Sequence, residues 1–514
     1  MRQAGTIMLK RSRALASVAV IAVIAGMGTP AWADTLREAL ALAYQTNPTL
    51  LAQRASQRAL DESIVQARAG LRPNINLSAN SSYSRVDSKG GGSRDINGDG
   101  IPDIVTGGVS ESDSVNASIG LSQTLYSGGR IGHGINVAEA NVRGGRENLR
   151  AIEQQVLISV IQAYVDVQRD MEILRIRQDN LGVLRRQLDE SSARFEVGEI
   201  TRTDVAQSES RLAQSEADLA NAQAQLSVSR ASYAAVVGQA PTNLETPPPL
   251  PGLPTDFDAA LEIGLNENPN VLSAEYGLRA AEARVAQARA EYRPSARLTS
   301  SYGGSDDLSS FDLTQRTSFQ AGASISIPLF TGGLNASRVA QALEQANAAQ
   351  IGVEGERRNV LQSVSSAYAQ AISARATLTA GNEAVRAATV AAEGVRQEAQ
   401  VGLRTTLDVL NQELELRSAE VTLASARRNE YVAQANLLAA MGRLEGQDLD
   451  PSIAVYDPAA NYQRIRNRGA LPWDGILETI DRIAAPRVVP AEDAPDAPID
   501  RQLKSEIIRT APGN

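Results

Sequence analysis

Apolar and polar residues alternate in four places along this chain. Ile75, Leu77, Ala79 and Tyr83 alternate with Asn74, Asn76, Ser78, Asn80 and Ser82. A period of two predicts a strand over about 74–86. Val115, Ala117, Ile119 and Leu121 against Asn116, Ser118, Gly120 and Ser122 predict a second over about 114–126. Two more are expected over about 295–304 and 317–329, the last with Phe319, Ala321, Ala323, Ile325 and Ile327 on one side. Between the strand pairs the period becomes helical. Ile152, Val156, Val160, Ala163, Val167, Met171, Leu174, Leu181, Leu184 and Leu188 recur at threes, fours and one seven. They predict one helix over about 131–197, roughly 100 Å long. Gly198 is placed to end it, and Thr203 or Asp204 to start the next. That helix carries a seven-residue stripe, Val205, Leu212, Leu219, Leu226 and Tyr233. Small residues flank the stripe, as in coiled-coil packing. A shorter helix is expected from Asn47-Pro48 to about Leu71, before Pro73.

The pattern is duplicated. "ALAYQTNPTL" at 41–50 matches "IGLNENPNVL" at 263–272, and "QARAGLRP" at 66–73 matches "QARAEYRP" at 287–294, both 221 residues apart. From "QTLYSGGR" (123–130) and "IPLFTGGL" (327–334) onward the offset is 204: Tyr164 meets Tyr368, Asp204 meets Asp408 and Gly238 meets Gly442. The 17-residue difference falls between Pro73 and Leu125. The organisation expected is a first repeat over 34–240, a Pro-rich linker over 241–256, a second repeat over 257–445 and an extension over 446–514. Within the extension, "WDGILETIDRIAA" predicts a short amphipathic helix, and the Pro- and acid-rich end predicts disorder.

Four strands with one apolar and one Ser/Asn/Gly-rich face suit lipid on one side and water on the other. Four cannot close a barrel, so several chains must combine: two would give eight strands, three twelve. Composition sharpens this picture. Residues 1–33 run from Arg2, Lys10, Arg11 and Arg13 through an apolar stretch to Ala31-Trp32-Ala33, the order of a secretory signal peptide. Its removal lowers the net charge from −9 to about −13, which argues against nucleic acid as a partner. With no Cys and one His, disulfides, a lipid anchor on Cys and a multi-His metal site are excluded, and an enzyme is not expected.

The order helix, strand pair, Gly-Gly turn and long helical hairpin, twice over, resembles the outer-membrane efflux protein family typified by TolC. The carrying segments are "LREALALAYQTNP", "ARAGLRP", "LYSGGR", "FEVGEITRTDV", "LFTGGL", "AQVGLRTTLDVL" and "AAMG", over roughly 35–445. The resemblance implies an α+β membrane protein. Three copies would form a twelve-stranded outer-membrane barrel continued by a twelve-helix periplasmic tunnel. It implies a passive exit duct for type I secretion or drug efflux, leaning towards the secretion members. The partners would be a periplasmic adaptor and an inner-membrane ABC or RND transporter. Gly128, Gly129, Gly332 and Gly333 would turn barrel into tunnel. Val197, Gly198, Val401 and Gly402 would form the docking tips. Asp408 matches a pore-constricting aspartate; one turn on, Asn411 stands where a second is usual. Arg404 matches a basic residue tying the closed tip to a neighbouring helix near Thr203 and Asp204, and Ala399 replaces a tyrosine of that tie.

The extra residues of the first repeat fall around "RDINGDGIPDI". There Asp95, Asn97, Asp99 and Asp103 are spaced like the start of a calcium loop, but Thr106 stands where the closing Glu belongs. No other cofactor is expected. The competing reading, a periplasmic adaptor, accounts for helical hairpins but not for two of them with barrel strands.

Overall fold

The computed structural model describes residues 35–88, 93–94, 98–99, 104–105, 108–242, 244–308, 312–314, 316–451 and 453–491. The first repeat holds helices α1 (Leu36–Thr46) and α2 (Pro48–Ala69), strands β1 (Asn74–Ser88), β2 (Ser93–Arg94), β3 (Ile104–Val105) and β4 (Gly108–Tyr126), then helices α3 (Arg130–Glu196) and α4 (Arg202–Val237). The second holds α5 (Phe257–Glu267), α6 (Pro269–Ala290), β5 (Ser295–Asp306), β6 (Thr317–Ser326), α7 (Leu334–Gln400) and α8 (Thr406–Ala440). The extension adds α9 (Gly446–Leu449), α10 (Pro458–Ile465) and α11 (Asp474–Asp481).

Several boundaries differ from the sequence pattern, each for a local reason. β1 and β4 run on to a Ser88–Gly108 pair. β6 stops at Ser326, opposite Ser295, because Pro294 and Pro328 on either side lack the N–H a ladder needs. Helix α1 was not expected. Thr35 and Glu38 form a capping box at its start. The helix expected from 48 to 71 ends at Ala69. Helix α4 is capped by Thr201 with Asp204 at its third position, not by Thr203 or Asp204. The amphipathic helix of the extension is α11, and α10 was not foreseen. The acidic stretch beyond 491 and the leader lie outside the described residues.

The chain divides into two compact units. One comprises residues 48–158, 250–380 and 429 onward. It contains an antiparallel sheet in the order β1-β4-β5-β6 and a core of Phe257, Leu261, Val271, Val364, Leu437 and Met441. The other comprises the described residues up to 47 together with 159–249 and 381–428. It holds the tip-side parts of the hairpins α3–α4 and α7–α8, with all of α4 but only residues 159–196 of α3, 381–400 of α7 and 406–428 of α8. Along α4 the small residues Ser208, Ser215, Ala222 and Ser229 are buried. Ser191 and Ser208 hydroxyls bond at 3.2 Å, and Asn180 donates to Ser215 at 3.1 Å, so small polar residues let α3 and α4 approach closely.

The duplication persists in detail. Asn47 Nδ2 donates to Val236 O at 3.1 Å, and Asn268 Nδ2 donates to Ala440 O at 2.9 Å. Each Asn thereby satisfies an end carbonyl of the repeat's last helix. Glycines 238 and 442 both adopt left-handed φ, +89° and +81°, where a side chain is disfavoured.

Candidate functional site: the amphipathic sheet and the hairpin tips

Register converts the alternation into surfaces. Leu77 pairs with Ile119, Ile119 with Tyr302 and Tyr302 with Phe319. One apolar row therefore crosses all four strands, and each of its members is exposed. One residue along, Ser78, Ser118, Gly303 and Ser318 form a polar row on the other face. Ser78 and Ser118 hydroxyls bond at 2.9 Å, and those of Ser82 and Ser114 at 2.8 Å. Strands β1 and β6 each pair on one side alone among the described residues. The sheet thus combines a solvated polar face, an uncovered apolar face and two open edges. Among the described residues, no helix is long and apolar enough to cross a membrane.

The hairpin tips are near copies. At the first, Gly198 takes φ +77° and its N–H donates to Phe195 O at 2.9 Å. At the second, Gly402 takes φ +79° and donates to Ala399 O at 3.1 Å. Thr201 N–H and Oγ1 both donate to Asp204 Oδ2, at 2.9 and 2.7 Å. Thr405 does the same with Asp408, at 3.0 and 2.8 Å. The return bonds run from Asp204 N and Asp408 N to the threonine hydroxyls, at 3.4 and 3.2 Å. Two reciprocal capping boxes result. The Thr201 hydroxyl, then its backbone N–H, holds the Asp204 carboxyl below its ordinary range. The Thr405 backbone N–H, then its hydroxyl, does so for Asp408. Val197, Val401 and Leu403 project into solvent.

Each tip also has an ion pair. Arg194 Nη2 meets Glu199 at 3.0 Å, and Arg404 Nε meets Glu398 at 2.8 Å. Within the described chain Arg404 is therefore bonded to Glu398, and no bond joins it to Thr203 or Asp204. Both tips line a groove of about 740 Å³ that includes Arg194, Glu199, Asp204, Arg396, Arg404 and Val409. Near it, buried Glu413 lies between Arg396 and Arg417. Asn411 accepts a bond from Arg211 at 3.1 Å. Sequence reasoning missed Glu398, Glu199, Arg211 and the capping threonines. The threonines had a signal, Thr-x-x-Asp at 201–204 and again at 405–408.

The Gly-Gly turns share one conformation, with φ of +66° and +89° at Gly128 and Gly129, and +60° and +85° at Gly332 and Gly333. Their surroundings differ. A Cβ on Gly128 would lie 2.3 Å from Arg293 Cβ and one on Gly129 2.4 Å from Ala485 Cβ, whereas one on Gly332 or Gly333 would meet nothing within 4 Å among the described residues. Of the calcium candidates, Asp99 is described and exposed; Asp95, Asn97 and Asp103 lie outside the described residues.

The model of the family described as "Outer membrane efflux protein" matches residues 39–239 and 261–443, most of both repeats. The chain belongs to this family. It is 32% identical over 449 residues to the outer membrane efflux protein BepC of Brucella suis, covering 87% of this chain and 93% of the relative. It is 27% identical over 445 residues to the outer membrane protein TolC of Escherichia coli, covering 83% of this chain and 86% of TolC. Among solved structures, the CmeC outer membrane channel of Campylobacter jejuni superposes with a TM-score of 0.68 at 16% identity, over 84% of this chain and 88% of that one. The α+β fold from a tandem-duplicated unit is thus the fold of outer-membrane channels. The protein is an outer-membrane export duct, in a family of channels rather than enzymes. The adaptor reading is not favoured, because the match runs through both repeats.

Proposed function

We propose that three copies of this chain close one twelve-stranded barrel in the outer membrane. Their hairpins continue it as a twelve-helix periplasmic tunnel, and the assembly serves as the passive outlet of a tripartite exporter. The observation that supports this reading is the four-stranded sheet with an exposed apolar row and two open edges. Unpaired strand edges are not tolerated in hydrocarbon, and twelve strands leave room for a conduit where eight would be filled by side chains.

In this reading the tips face the pump. Val197, Gly198, Val401 and Gly402 are the docking points for a periplasmic adaptor coupled to an inner-membrane ABC or RND transporter. Asp408, Asn411, Arg404, Thr203 and Asp204 form the gate. With Asn411 neutral where a second aspartate is usual, the negative ring at Asp408 is weakened. The cargo is a drug-like molecule or a secreted protein. The test is native mass spectrometry of the protein extracted in mild detergent. A trimer supports the reading; a stable monomer contradicts it. Deleting the gene then assigns the cargo, as drug sensitisation or loss of a secreted protein from the medium.

A further inference from the structure

The two Gly-Gly turns are sequence copies with unequal cover. In the first, Asp481, itself fully buried, accepts bonds from Ser127 Oγ at 2.8 Å and Gly132 N at 3.3 Å. Tyr126 donates to Ile483 O at 2.9 Å, and Gly128 lies against the stem of Arg293, just before β5. In the second, Leu329 and Phe330 are 93% and 90% exposed, and among the described residues nothing lies within 4 Å of where a Cβ on Gly332 would sit.

The repeat offsets say what would cover it. The β4–β5 ladder pairs Tyr126 with Ala296. Moved on by 204, Tyr126 becomes Phe330; moved back by 221, Ala296 becomes Ile75. The same shifts turn Gly128 against Arg293 into Gly332 against Arg72. Within one chain β6 and β1 are opposite edges of the sheet, so this contact needs a second copy. Directions agree: alternating strands leave β6 antiparallel to an incoming β1. Ile75 is 67% exposed, ready for a cross-strand neighbour.

We propose that the second Gly-Gly turn of each subunit seats on the strip preceding β1 of the next. Phe330 then lies opposite Ile75 of the partner subunit, and Gly332 against the stem of the partner's Arg72. This rests on the trimeric reading and adds its register. The C-terminal extension is the buttress. Arg72 Nε pairs with Asp474 at 2.9 Å and Nη1 donates to Arg468 O at 2.6 Å, so the receiving strip is held rigid before assembly. Gly332 has no in-chain reason to lack a Cβ beyond its φ; the partner's stem supplies one.

Because the natural chain has no cysteine, disulfide trapping tests this cleanly. Ile75→Cys with Phe330→Cys should oxidise to covalently linked trimers on non-reducing gels. Ile75→Cys with Ile325→Cys, displaced by about 14 Å along the strand, should yield less than about a tenth as much. Native mass spectrometry of the reduced variants reports trimer formation separately. A trimer in which the first pair stays unlinked, or the two pairs link equally, overturns the register while leaving the trimeric reading standing; monomers throughout overturn that reading itself. Gly332→Asn, which tolerates left-handed φ, gives a second readout. It should lower the temperature at which the trimer dissociates, whereas Gly402→Asn should not. Equal dissociation temperatures contradict the contact.

Discussion

Arg194 and Glu398 occupy the same position of the two repeats and carry opposite charges. Arg194 closes its tip by bonding Glu199, and Glu398 closes the other by bonding Arg404. The two tips share a backbone but reverse the polarity of the pair that braces it.

Arg404→Ala combined with Asp408→Ala removes two of the second tip's charges, leaving Glu398, and single-channel conductance in planar bilayers should rise. Glu398→Gln alone, which frees Arg404 while leaving Asp408 in place, should change conductance less. Unchanged conductance in the double variant would remove these residues from the gate.

The capping threonines make a separate prediction. Thr201→Ala or Thr405→Ala should cost the helix start about 1 kcal/mol. Amide exchange in the first turn of α4 or α8 should then quicken several-fold, with sheet amides unaffected. Exchange spread through both regions would show that the caps do more than hold the tips.

The same caps set a pH dependence. Asp204 and Asp408 have folded pKa values below the ordinary 3.8. Their contribution is fully present above about pH 3.8 and is lost as pH falls through the depressed folded values. Tip amides should stay protected at pH 5 and lose protection only below the ordinary carboxylate range. Loss of protection already at pH 5 would contradict the capping geometry.

Asp481→Ala should weaken the first Gly-Gly turn, because Ser127 N–H, Ser127 Oγ–H and Gly132 N–H lose a buried acceptor. A cost of about 1–3 kcal/mol is expected, read as a lower heat-dissociation temperature with the hairpin tips unchanged. Asp474→Ala, which frees Arg72, should act in the same direction.

Much of this was legible in the sequence for a physical reason. A strand in contact with lipid on one face and water on the other must alternate, and Ile75 to Tyr83 does. A duplicated fold must repeat its turns, and the Gly-Gly pairs do. Long-range contacts of the extension were not legible: Arg72 and Asp474 lie 402 positions apart, and no local period links them. The tip ion pairs also escaped. Five- and six-residue separations across a turn do not follow helical spacing, and the change from Arg194 to Glu398 hides their equivalence. The cap of α4 was misplaced by two or three residues, because Thr203 and Asp204 are themselves acceptable caps while the Thr-x-x-Asp box begins at Thr201.

The central claim is that this chain assembles into an open-barrelled conduit across the outer membrane. Reconstitution of the purified trimer into planar lipid bilayers tests it most directly. Discrete, uniform conductance steps that increase when the Arg404 and Asp408 side chains are removed are the predicted result. A protein that inserts as a trimer yet conducts no ions in either form would contradict it.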